Sequence, residues 1–204
     1  MEPFRSVRGG GARAWLAAAE ASLLRSLVGQ IMALVEPDES AVIVDPGPVD
    51  PMGPVGPAGP RDAAEEAELA ALEAMVHGPG SESAPEDPVL ARLLPDGYRD
   101  DPESAGEFRK YTEPALRSAK YQAAQEMLDT LPDEGGRIQL TADQALSWLK
   151  ALNDVRLALG VRLGVTEEFE EQWSRLKPDD PQWTAYEVYA WLGAVQESLV
   201  QALS

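Results

Sequence analysis

Six prolines between positions 46 and 60 divide this chain into two folding segments. Pro46, Pro48, Pro51, Pro54, Pro57 and Pro60 alternate with Gly53, Gly56 and Gly59. Each proline fixes its own φ, withholds a backbone N–H and restricts the residue before it. No helix or interior strand survives that spacing, so the stretch favours extended polyproline II. Its PxxP spacing reads as a spacer more readily than as an SH3-type ligand. Asp62 to Val76 predicts a short helix, with Asp62 and Glu65 as a capping box, before linker composition returns at 78–83. Residues 37–86 are therefore expected to form a long disordered Pro/Gly-rich insertion, and deletion of 40–60 is expected to leave the melting temperature nearly unchanged.

The core must then come from 1–36 together with 87–204, as one globular domain. In 1–36, Phe4–Arg8 and Ala12–Leu16 flank Gly9-Gly10-Gly11 and predict a β-hairpin. Leu24, Val28, Ile31 and Val35 recur at helical spacing, and Pro37 ends that helix. In 87–204, Asp87-Pro88 and Asp101-Pro102 each open a helix. Thr112-Glu113-Pro114 is read as opening another, to about Leu131. Arg137–Leu140 alternates as a strand, and the N-terminal hairpin is its available partner. Thr141-x-x-Gln144 opens a central helix that Gly164 closes. Thr166 is read as capping a short acidic helix, and Thr184-x-x-Glu187 the last one. On the central helix, Leu149, Leu152, Leu159 and Leu163 form one stripe, with Trp148 and Val155 widening it. Helices 102–131 and the C-terminal helix are its expected covers. The fold class is mainly α: a multi-helix domain with a minor N-terminal β-hairpin/three-stranded sheet.

Charge and composition exclude most chemistries. The chain has 35 acidic and 17 basic residues among 204, for a net charge of −18. Residues 1–35 carry Arg5, Arg8, Arg13 and Arg25 against Glu2 and Glu20, so the acid excess lies beyond residue 35. Such a chain repels phosphate backbone, and a short arm of Arg without a helix-turn-helix makes direct DNA binding doubtful. The acid excess serves solubility or a basic protein partner. With no Cys and a single histidine, His77, the chain holds no disulfide, thiol switch, thiolate metal site or two-His site. No cofactor or metal is expected, and no nucleophile–base pair is visible, so an enzyme is not expected. No segment reads as membrane-spanning or as a secretory signal, and a cytoplasmic location is expected.

Several side chains stand out as candidates. Asn153, Asp154 and Arg156 interrupt the apolar central helix, and Arg156 falls on its stripe. A buried Arg needs a carboxylate, for which Glu107, Glu113 or Glu197 are candidates, or several carbonyl acceptors. A structural polar network is the simpler reading, and a ligand site for a small acid the sharper one. Glu167, Glu168, Glu170, Glu171, Asp179 and Asp180 form an acidic cluster that reads as a solvated face. Trp173 and Trp183 lie within it, either as a lid on the helical core or as contacts for a basic protein surface. Val188, Leu192, Val195, Leu199 and Leu203 form one row of the last helix, with Tyr189, Trp191, Val200 and Ala202 off it. That breadth predicts a homodimer built around 184–203.

Three stretches together carry a resemblance: residues 87–103 (DPVLARLLPDGYRDDPE), 148–164 (WLKALNDVRLALGVRLG) and 191–200 (WLGAVQESLV). They resemble an actinobacterial family, the domain of unknown function numbered 2017. Its described members include AosR-type oxidative-stress transcriptional regulators that work with a sigma factor. Members are often encoded near a Clp protease adaptor and a cysteine-biosynthesis cluster. The resemblance implies a non-enzymatic regulator that contacts RNA polymerase or a sigma factor. The alternative is a helical interaction module linked to Clp-type proteolysis. The family's redox sensing relies on N-terminal cysteines, which residues 1–16 lack, so no thiol switch carries over.

Overall fold

A computed structural model describes residues 1–8, 10–37, 84–98, 101–177, 179–180 and 182–204. The proline array, the short helix expected over 62–76, His77 and the 40–60 deletion lie outside the described residues. These contain six helices and one three-stranded sheet: β1 (Glu2–Ser6), β2 (Ala12–Leu16), α1 (Ala18–Val35), α2 (Pro88–Leu93), α3 (Pro102–Thr130), β3 (Gly136–Leu140), α4 (Ala142–Leu163), α5 (Phe169–Arg175) and α6 (Trp183–Leu203). The chain forms two compact units. One comprises Met1–Glu36, Pro85–Leu93 and Ala119–Ser204, and the described part of the other is Pro37, Ala84, 94–98 and 101–118. The unit boundary falls inside α3, whereas the sequence grouped everything from 87 onward.

In the first unit the sheet is antiparallel, in the order β1-β2-β3. Gly11 permits the hairpin: at φ +93°, a Cβ there would lie 2.2 Å from the Leu140 carbonyl oxygen. Ala12, Ala14 and Leu16 of β2 point inward with Phe4, Ile138 and Leu140. The pairing of β3 with the N-terminal hairpin follows the expectation, with Ala12 opposite Leu140 and Leu16 opposite Gly136.

Trp148 sits fully buried at the centre. Its ring meets Phe4 edge-on at 5.7 Å, and its Nε1–H donates to Thr130 Oγ1 at 2.7 Å. Burying a tryptophan with its polar tip satisfied avoids the desolvation cost that an orphaned N–H would carry. The stripe read on α1 is the one the fold buries: Leu24, Val28, Ile31 and Val35, with Ala21. By length and composition α1 alone among the described helices is apolar enough to cross a membrane. Its two charged residues are instead tied into the fold: Glu20 binds the Met1 ammonium at 2.6 Å and Arg25 binds Asp133 at 2.8 Å.

The central helix α4 is turned from its expected register. Its buried line is Ala145, Trp148, Leu152, Val155 and Ala158, with Asp154 also buried, while Leu149, Leu159 and Leu163 are only half-buried. Its main covers are α6, the short α2 and α1. The caps at its ends form as expected. Thr141 Oγ1 accepts from the Gln144 amide at 3.2 Å, and Gly164 closes the helix at φ 62°.

The α6 row is likewise rotated: Tyr186, Leu192, Val195, Leu199 and Ala202 are buried, while Val188 and Leu203 are half-buried. The strand β1 lies along α6, and the Phe4 amide donates to Ser198 Oγ at 3.3 Å. The sheet thus supplies cover that the dimer expectation had left out, and on α6 the exposed large apolar residue is Val200, at 44%. The last helix begins at Trp183 without a side-chain cap, so Thr184 does not cap it. Thr166 Oγ1 accepts from the Glu168 amide at 3.2 Å, but α5 starts later, at Phe169.

α3 is one helix rather than two, running through Pro114. Pro114 has no N–H to give to the preceding turn, and Thr112 Oγ1 bonds the Phe108 carbonyl at 2.9 Å just before it. In the second unit, Asp96 pairs with the Arg109 guanidinium, and Tyr98 meets Phe108 edge-on at 5.7 Å. Asp101 caps α3: the Ser104 hydroxyl and amide both donate to it and hold its carboxyl below the usual carboxylate range.

Candidate interaction surface

The outer face of the sheet concentrates cations on an acidic protein. Strand alternation that sends Ala12, Ala14, Leu16, Ile138 and Leu140 inward sends Arg13, Trp15, Arg137 and Gln139 outward, all exposed. Pairing sets Arg13 opposite Gln139 and Trp15 opposite Arg137. On the other side of β2, Arg5 stands opposite Arg13, and Glu2 opposite Trp15 across a register shift. Arg5, Arg13 and Arg137 make no ion pair among the described residues, and Trp15 is 47% exposed. Like charges directly opposite on a sheet destabilise it, so the Arg5–Arg13 pair is a cost to folding with no internal compensation. Of the four Arg read as a basic cluster, Arg25 does not belong, because Asp133 neutralises it. Arg137 and Trp15 complete the face. Their alternation with buried neighbours was the available signal, spread over strands more than 100 residues apart.

The polar residues of α4 separate into three environments. Asn153 is exposed. Asp154 is 3% exposed and accepts from Lys120 Nζ at 2.7 Å. Burial pushes its carboxyl above the ordinary carboxylate range, and the Lys120 hydrogen bond and charge pull the other way. Asp154, not Arg156, is therefore the buried charge of the helix. Arg156 is half-buried and its partner is not a carboxylate: Nη1 donates to Gln196 Oε1 at 2.6 Å, and the guanidinium lies over the Tyr189 ring, 5.4 Å from its centroid. The three glutamates proposed for it do otherwise. Glu107 is exposed, Glu113 accepts from Arg117 Nε at 2.7 Å, and Glu197 accepts from Gln201 at 2.8 Å.

Trp173 and Trp183 pack on each other, centroids 5.8 Å apart. Phe169 extends the cluster, 5.9 Å from Trp173, stacked on Tyr186 at 5.5 Å and tilted against Tyr189 at 4.9 Å. Both tryptophans are half-buried, which places them as a lid joining α5 to α6. Phe169 and Tyr186 were not singled out from sequence, and Tyr189 was read only as surplus apolar surface on the last helix. Phe169 and Trp173 are one helical turn apart, as are Trp183, Tyr186 and Tyr189, and that spacing was their signal. Among the described residues no group of three or more His, Cys, Asp or Glu is placed to hold a metal ion.

The chain belongs to the family described as domain of unknown function DUF2017, whose family model matches residues 1–203. Within that family it is similar to proteins named oxidative stress regulator AosR in Mycobacterium tuberculosis strain H37Rv and in Mycobacterium bovis. Each is 42% identical over 137 residues, covering 61% of this chain and 62% of the relative. A Mycobacterium leprae protein named putative oxidative stress regulator AosR is 40% identical over the same length. The chain thus spans about 62% of the length of the curated relatives it matches. No solved structure matches it.

Proposed function

We propose that this protein is a non-enzymatic regulator that acts on transcription by protein–protein contact with RNA polymerase or a sigma factor. The names of its relatives support regulation in response to oxidative stress. The observation that carries the contact is the cationic sheet face: three guanidiniums without ion-pair partners among the described residues, beside an exposed tryptophan, on a chain of net charge −18. Arg and Trp are the side chains that anchor protein interfaces. A face of three Arg offsets few phosphates, and the net charge opposes a nucleic acid along its whole length. An acidic segment of a protein engages the same face locally, with an apolar side chain on Trp15. The chain has no Cys, so any response to oxidant runs without a thiol on this protein.

Purified RNA polymerase core and isolated sigma factors, titrated onto the labelled full chain, test this. Binding should weaken as salt rises and fall by about tenfold or more in Arg13→Glu and Trp15→Ala. Failure to bind either component refutes the reading. Binding that both substitutions leave unchanged removes the sheet face from it.

A further inference from the structure

Arg156 is a half-buried cation with no ion pair among the described residues. Its Nη1 is held by a neutral amide, Gln196, and its Nε is buried without a partner. The guanidinium rests on the Tyr189 ring and against Gly193, where a Cβ would lie 3.8 Å from Nε. Taking a guanidinium partly out of water without an anion is unfavourable, and folds with this many carboxylates normally satisfy it internally. Here the space beside it is a groove of about 260 Å³. Asn153, Arg156, Gly160 and Gly164 of α4 and its cap line one wall, with Arg92 of α2 and Tyr189 of α6 facing them. The rest of the lining is apolar, and none of it is acidic. Arg92 is exposed and has no ion pair among the described residues.

The α4 residues recur at i, i+3, i+7 and i+11, a single stripe distinct from the buried line through Trp148 and Leu152. Glycines at two of its positions keep the groove open: a Cβ on Gly160 would meet the Tyr189 ring at 3.4 Å. The helix therefore presents a second face, built as a channel with cations at its rim.

We infer that this groove binds a small organic anion whose carboxylate or phosphate group pairs with Arg156 and Arg92, its apolar part lying on Tyr189 and the aliphatic floor. The volume holds roughly nine waters, room for a small acid but not for a nucleotide chain. A planar guanidinium held by stacking and one hydrogen bond is pre-oriented for a bidentate anion. Asn153 adds a neutral donor. The site does not involve the sheet face and stands or falls apart from the transcriptional reading.

Titration of the full chain with glutarate and, separately, inorganic phosphate tests it, followed by amide chemical shifts at ionic strength matched with chloride. Saturable shifts at Asn153, Gly160 and Gly164 are expected, and whichever probe saturates at lower concentration identifies the head group. Arg156→Met, which keeps the aliphatic stem on Tyr189, should weaken binding about tenfold or more. Arg92→Gln, at an exposed position, should weaken it without disturbing the fold, and decides the matter if Arg156→Met does not fold. Shifts that grow without saturating for both probes, or saturate equally in wild type and Arg92→Gln, overturn the site.

Discussion

Replacing Lys120 with Met isolates the cost of the buried charge in α4. Lys120 Nζ and Asp154 Oδ1 are 2.7 Å apart, with side chains 16% and 4% exposed. Removing the ammonium leaves a carboxylate buried in the helix face, and breaking a buried pair in this way costs about 3–5 kcal/mol. Replacing both members with apolar residues of similar size, Lys120→Met with Asp154→Leu, removes the charge as well as its partner. It should recover at least half of the loss. Acid provides a second handle. The Asp154 carboxyl already lies above its ordinary range because of burial. The folded state therefore holds the proton more tightly than the unfolded state, and stability is gained as pH falls through the folded pKa. Without Lys120, the interactions that lower that value are gone and it rises further. The deficit of Lys120→Met relative to wild type should therefore shrink between pH about 7 and about 5, measured by urea unfolding. A deficit equal at both pH values, or a double variant as unstable as the single one, would refute the account.

Three further outcomes follow from the geometry. Gly11→Ala forces a Cβ onto the Leu140 carbonyl at a positive φ and should lower stability by at least about 1–3 kcal/mol in thermal or urea unfolding. Arg156→Ala strands no carboxylate, since its partner is Gln196, so its cost should be about 1 kcal/mol rather than the 3–5 of a broken buried ion pair. Trp148→Ala empties the centre of the core and removes the indole hydrogen bond that Thr130 Oγ1 accepts. It should cost about 3–5 kcal/mol by denaturant titration, with a cavity that partly refills.

Local chemistry in this sequence reported its own position well. Asp87, Asp101, Thr141 and Gly164 act where their side chains or backbones satisfy helix ends, because capping depends on neighbours within four residues. The α1 stripe was legible because Leu24, Val28, Ile31 and Val35 recur at regular helical spacing and Pro37 marks where the helix stops. The α4 and α6 stripes were legible in part: Trp148, Leu152 and Val155 on α4 and Leu192, Val195 and Leu199 on α6 are buried as read, while Leu149, Leu159, Leu163, Val188 and Leu203 are half-buried. Which line is buried then depends on what arrives from elsewhere: β1 on α6, and α2 on α4. Pro114 misled the reading of α3, since a proline opens a helix more often than it is accommodated within one. Arg156 misled for the opposite reason. Its place on the leucine stripe is real, but that stripe is the half-buried edge of the helix, so it needed an amide and a ring rather than a carboxylate. The sheet face was half visible, as Arg5 and Arg13. Its remainder required knowing that Arg137 lands beside Trp15.

The pairing of β2 with β3 also fixes the order in which this protein can be built. Ala12 meets Leu140, so closing that ladder brings together points separated by most of the chain, at an entropic cost on the order of 4 kcal/mol. A lone two-stranded hairpin is marginal in water. The first strands to leave the ribosome thus have no stable sheet to join until residue 140 has emerged, and β1 has no helix to lie against until α6, the last element, is complete. The amino-terminal strands are made first and secured last. Through synthesis of nearly the whole chain, Phe4 and its neighbours stay exposed to whatever binds nascent polypeptides.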